Sequence, residues 1–140
     1  MIKTHKLPEN ILDLLPDAGD YLKAHPKVIF SYLFGSLAKH KPLPLSDVDI
    51  AVYLKQDSNF ADCKLDILGR LTDILHTDEI DLVILNRADI SLVMNIIQFK
   101  KIIVDKNPFE RHMFESLMMR KSFDFSFKEL RQLRRRYLNG

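Results

Sequence analysis

Residues 27–34, KVIFSYLF, alternate as a strand does, with Val28, Phe30, Tyr32 and Phe34 on one side and Ile29, Ser31 and Leu33 on the other. Neither side offers a polar face to water, so the strand belongs in the middle of a sheet that is covered above and below. A second run, DVDIAVYL (47–54), turns Val48, Ile50, Val52 and Leu54 toward the core. A third, EIDLVIL (79–85), sets Ile80, Leu82 and Ile84 on one face and points Asp81 the other way. KIIVD (101–105) reads as a fourth short strand.

Helical signals fall between these runs. PENILDLL (8–15) reads as a short helix that stops before Pro16, and Pro16 suits the first turn of a second helix ended by Pro26. Residues 60–76 carry apolar side chains at 65, 68, 71 and 75, a helical stripe with acids outside it. DISLVMNIIQF (89–99) is a further helix, and Asn107-Pro108 starts another through Lys121. A break near SFDFS (122–126) precedes a last basic helix, FKELRQLRRRYL. The expected fold is therefore α/β (α+β): one domain over residues 1–140, with a mixed sheet of about four strands and flanking helices. Residues 106–140 form its helical basic C-terminal segment.

Composition narrows the function. A chain of 140 residues, 46% apolar and 29% charged, has the make-up of one globular domain. Pro8, Glu9 and Asp13 interrupt any leader-like apolar run, and no apolar stretch approaches the ~20 residues of a membrane span. Cys63 is the single cysteine, which excludes an internal disulfide and a zinc thiolate cluster. A cytoplasmic protein without membrane contact is the simple reading. Charge is split: residues 1–105 hold 12 Lys/Arg against 15 Asp/Glu, while residues 106–140 hold 9 against 4. An acidic body with a basic tail suggests two surfaces, one for chemistry and one for a partner. The tail has no recognised module or interleaved aromatics, so direct nucleic-acid binding finds little support.

Three acids stand out. Asp47 and Asp49 share one face of a strand, and Asp81 lies on a later strand. Asp is a poor strand former, and neighbouring carboxylates repel unless a cation or proton lies between them. One such residue alone is best explained as a strand end reaching solvent; three on adjacent strands point to a metal site. Magnesium takes oxygen ligands and is usually held by one or two carboxylates plus substrate phosphates. Two such ions suit an in-line phosphoryl displacement. Gly35-Ser36 supplies a turn that a phosphate can approach closely, its free N–H groups turned to the anion. His5, His25, His40, His76 and His112 show no ligand spacing, and Asp47-Val48-Asp49 lacks the Gly and Glu of a calcium loop.

Gly35-Ser36, ten intervening residues and Asp47-Val48-Asp49, flanked by apolar strands, resemble the signature of the nucleotidyltransferases built on the DNA polymerase β palm. The third carboxylate of that superfamily corresponds to Asp81. Over nearly its whole length the chain looks most like the minimal nucleotidyltransferases of the MntA antitoxin type. The resemblance implies a magnesium-dependent enzyme, with two Mg2+ ions on Asp47, Asp49 and Asp81. Its partner would be a HEPN-domain RNase toxin (HepT), silenced in a hetero-oligomer by AMP from ATP placed on a tyrosine. It also implies that Gly35 and Ser36 grip the triphosphate, with Lys39 offering a charge to a phosphate; Ser46, before Asp47, is a further candidate contact that as a turn residue can equally bond an acid or the backbone. Lys39 departs from the arginine many relatives carry after the turn, and lacks its planar fork.

Two other functions compete. One is an antitoxin that neutralises by contact alone; it needs none of the three acids. The other is transfer to a small-molecule hydroxyl, for which 140 residues leave no acceptor-holding domain.

Overall fold

The computed structural model describes residues 7–38 and 47–138. Its elements run α1 (Ile11–Ala24), β1 (Val28–Phe34), the single turn α2 (Gly35–Ala38), β2 (Val48–Leu54), α3 (Phe60–Leu75) and β3 (Ile80–Ile84). A 3-10 turn (Leu85–Arg87), α4 (Ile90–Phe99), β4 (Lys101–Asp105) and α5 (Pro108–Leu138) complete the order. The four strands lie in the order β3-β2-β1-β4. β1 is antiparallel to both β2 and β4, and β2 is parallel to β3, so the sheet is mixed as expected.

The doubly apolar β1 and β2 are the two central strands, and each face of the sheet has its own core. One face packs Leu33, Ile50, Val52 and Leu82 against Leu22 of α1 and Ile67 and Leu71 of α3. The other packs Phe30, Tyr32, Ala51 and Tyr53 against Val93 and Ile96 of α4 and Phe114 and Met118 of α5. Val28 belongs to the first core and not with Phe30, because a register irregularity between Val28 and Phe30 turns the strand over.

Asx caps set the helix starts. Asn59 accepts from the Asp62 amide at 3.1 Å, Asp89 from Leu92 at 2.8 Å and Asn107 from Glu110 at 3.1 Å. Three expectations need correction. Pro16 does not divide two helices; it lies inside α1. A proline there costs about 3 kcal/mol, but the stripe of Ile11, Ala18 and Leu22 continues across it into the core. Each large side chain buried contributes roughly 1.5–3 kcal/mol, so the helix holds. The buried stripe of α3 is Ile67, Leu71 and Leu75, whereas Leu65 is 72% exposed. Finally, SFDFS makes no break: α5 continues for 31 residues, since the segment holds no Gly or Pro to stop it.

Among the described residues, no helix is long and apolar enough to cross a membrane.

Candidate active site

Strand pairing decides which side chains meet. Phe34, the last residue of β1, pairs with Asp49, and Asp49 pairs in turn with Asp81 at the start of β3. Asp49 thus stands between the end of β1 and the beginning of β3. By strand alternation Asp47, Asp49 and Asp81 all point to the face that carries Ala51, Tyr53 and Val83, the side covered by α4 and α5. Asp47 and Asp49 are half-buried and Asp81 is exposed.

The chain leaves β1 through Gly35, whose φ of +71° belongs to the left-handed region. A Cβ built on Gly35 would lie 2.9 Å from Cγ of Asp49, so the absent side chain is what admits the carboxylate. Next in sequence, Ser36 carries a buried Oγ with no hydrogen-bond partner among the described residues. A buried hydroxyl left unpaired costs about 1–3 kcal/mol, and such a group next in sequence to the glycine that faces Asp49 is open to a ligand.

Asp49 and Asp81 are therefore neighbours on β2 and β3, and Asp49 faces the Gly35 turn; Asp47 enters one step before β2. The three do not close on one point: among the described residues no three acidic, His or Cys side chains converge tightly enough to enclose a metal ion. The donor set nevertheless suits magnesium: all-oxygen, carboxylates on adjacent strands, and an unpaired hydroxyl next to the turn. Lys39, Ser46 and His40 lie outside the described residues.

One polar cluster behind the site escaped the sequence reading. Glu115 Oε1 accepts hydrogen bonds from the Tyr32 hydroxyl (2.6 Å), Lys100 Nζ (2.5 Å) and Arg111 (3.3 Å). Arg111 Nε also donates to Asp105 at 3.1 Å. Burial pushes the Glu115 carboxyl up, but the bonds from Lys100, Tyr32 and Arg111 outweigh it and hold it below its usual range. Burial, together with its bond to Glu115, raises the Tyr32 hydroxyl far above the ordinary tyrosine range. The available signal was Arg111 and Glu115 four apart on the helix face that also carries Phe114 and Met118.

Comparison with known proteins identifies the family. The profile of the family described as Polymerase beta, Nucleotidyltransferase matches residues 18–109, which contain the Gly35 turn and all three acids. No curated protein matches the sequence significantly. Among solved structures, a toxin-antitoxin with AMP-PNP superposes with a TM-score of 0.59 at 24% identity, over 93% of this chain and 94% of that one. A mutant of the toxin-antitoxin MntA-HpeT gives 0.58 at 26% identity, over 96% and 97%. A tri-AMPylated Shewanella oneidensis HEPN toxin in complex with MNT antitoxin gives 0.53 at 23%, over 93% and 91%. These likenesses carry the same palm-like fold, and the family match spans well over half of the sequence. The chain belongs to the polymerase β nucleotidyltransferase family.

Proposed function

We propose that this protein is an antitoxin that transfers AMP from ATP to a tyrosine hydroxyl of a cognate HEPN-domain RNase toxin and so silences it. The observation that carries the reading is the register of Asp49 with Asp81 on the face toward which the Gly35 turn opens. A contact-only antitoxin has no need of that pairing. The choice of acceptor is supported by the likeness to a complex of MNT antitoxin with a tri-AMPylated HEPN toxin, and the choice of nucleotide by the likeness to a toxin-antitoxin with AMP-PNP.

In this reading Asp47, Asp49 and Asp81 hold magnesium, which supplies charge neutralisation at the phosphates when bound. The Gly35 backbone lets the triphosphate approach, and the Ser36 hydroxyl donates a hydrogen bond to it. Lys39 and Ser46 are proposed as further contacts to the nucleotide. Asp81, the most exposed of the acids, takes the proton of the acceptor hydroxyl. The hydroxyl oxygen bonds to the α-phosphorus, the bond between the α- and β-phosphates breaks, and pyrophosphate leaves.

Mass spectrometry of the toxin after incubation with the antitoxin, ATP and magnesium tests this. AMP on a toxin tyrosine, with loss of RNase activity, is expected. A toxin that is silenced without gaining mass would replace this reading with neutralisation by contact.

A further inference from the structure

β3 is an outer strand of the sheet, so the N–H and C=O groups along its far side form a row with no neighbouring strand among the described residues. A groove of about 450 Å³ runs along that edge, and Phe60, Lys64, Asp81, Val83, Arg87 and Leu92 line it. Its walls come from the start of α3, the 3-10 turn after β3 and the start of α4, and its floor is β3 itself. Arg87 is held over the Phe60 ring, its guanidinium carbon 5.0 Å from the centroid. Asp81 belongs both to this groove and to the carboxylate pair.

We propose that this groove seats the acceptor: an extended segment of the partner protein adds as a further strand on the β3 edge and presents its hydroxyl beside Asp81. The proposal rests on the nucleotidyl-transfer reading above and adds the way the protein substrate is held. Its first support is the template. Five residues of strand at about 3.3 Å each offer roughly 16 Å of backbone to pair with. The second is direction. Directly opposed residues on paired strands put their side chains on the same face, with Cβ atoms about 5 Å apart. A residue opposite Asp81 therefore points to the face of Asp49 and Asp81, where the transferred phosphoryl group must arrive. The third is charge. Lys64 and Arg87 are exposed on the groove walls, while Phe60 and Leu92 offer apolar surface. The fitting segment carries an acid for the two cations and an apolar side chain for Phe60 and Leu92, next to its hydroxyl residue. Pairing through the backbone fixes the hydroxyl beside Asp81.

The test uses the full chain with its purified HEPN toxin. Hydrogen exchange should slow at least tenfold at the outward amides of residues 80–84 when toxin is added. Lys64→Glu with Arg87→Glu should raise the KM for toxin at least tenfold, leaving kcat and the KM for ATP within about twofold. Lys64→Glu alone, on the exposed wall, gives a smaller shift in the same direction and serves if the double variant folds poorly. Unchanged exchange at 80–84, or an unchanged KM in a folded variant that still transfers AMP, overturns the groove. If toxin binds but receives no AMP, the function reading fails by itself, and exchange at β3 still decides whether a partner lies on this edge. Protection of 80–84 in the chain alone, with a dimeric mass, would make a second copy the occupant and also overturn the proposal.

Discussion

The Asp49 carboxylate lies where a side chain on Gly35 would begin, with Asp49 Cγ 2.9 Å from the position of that missing Cβ. Two demands meet at Gly35: room for the carboxylate and a φ of +71°. Gly35→Ala therefore strains the backbone by roughly 1–2 kcal/mol and pushes Asp49 out of register with the turn. We expect a thermal midpoint lowered by several degrees and AMP transfer lowered by at least about a hundredfold. Gly69 is the control. A Cβ there meets nothing within 4 Å, and its position inside α3 means Gly69→Ala should raise stability by about 1 kcal/mol with activity unchanged. Paired melting curves and transfer assays separate the two glycines.

Asp49→Asn should abolish transfer while keeping the fold. The loss is expected on the order of a hundredfold or more, as for removal of a major electrostatic group from an active site. Melting curves of parent and variant keep a loss of transfer from being mistaken for a loss of fold. ATP affinity measured by calorimetry should fall sharply on adding EDTA to the parent and hardly change in the variant. An unfolded variant, or one that still transfers AMP with magnesium, would remove Asp49 from the chemistry.

Much of this was legible because a period of two is hard to disguise. The apolar alternation in 47–54 and 79–85 already put Asp49 and Asp81 on definite strand faces, and pairing made those faces the same. What failed was local rules overridden by packing. Pro16 reads as a boundary only until the Ile11, Ala18 and Leu22 stripe is followed through it. Val28 changes face through a register irregularity that has no mark in the residues. The fit of Asp49 against Gly35 depends on the pairing of β1 with β2, which spacing hints at but cannot dimension. The role of Glu115 is hidden in the sequence because its partners Tyr32 and Lys100 are distant from it along the chain.

Glu115 should make stability depend on acid. Its carboxyl is held below the usual range in the fold, so its contribution is present above the ordinary carboxylate pKa and is lost as pH falls through the lowered value. Glu115→Gln leaves Lys100 and Arg111 in a nearly buried place without their shared anion. A cost of about 3 kcal/mol at neutral pH is expected. The difference from the parent should shrink as pH falls below the ordinary carboxylate range and through the lowered value, where the parent also loses the charge. Urea titrations from pH 3 to 7 would show this convergence; parallel curves across that range would mean the cluster contributes no charge-linked stability.

The basic tail offers the last prediction. Beyond Met118, α5 buries no further side chain among the described residues, and Lys128, Arg131, Arg134, Arg135 and Arg136 are exposed. A helical end lying free with such a charge excess fits a role in steering an acidic partner surface. Steering of this kind depends on salt, because the Debye length falls from ~10 Å at 0.1 M to ~3 Å at 1 M. Arg134→Ala, Arg135→Ala and Arg136→Ala together should slow association with the HEPN toxin about tenfold at low salt and flatten its salt dependence. Helicity should hold, since alanine is the best helix former. AMP transfer at saturating toxin should change little, because Asp47, Asp49 and Asp81 are untouched. Stopped-flow association across a salt series, run beside mass spectrometry of the toxin, distinguishes the two surfaces. Unaltered association at every salt concentration would make the tail a solvated face and leave encounter to the rest of the molecule.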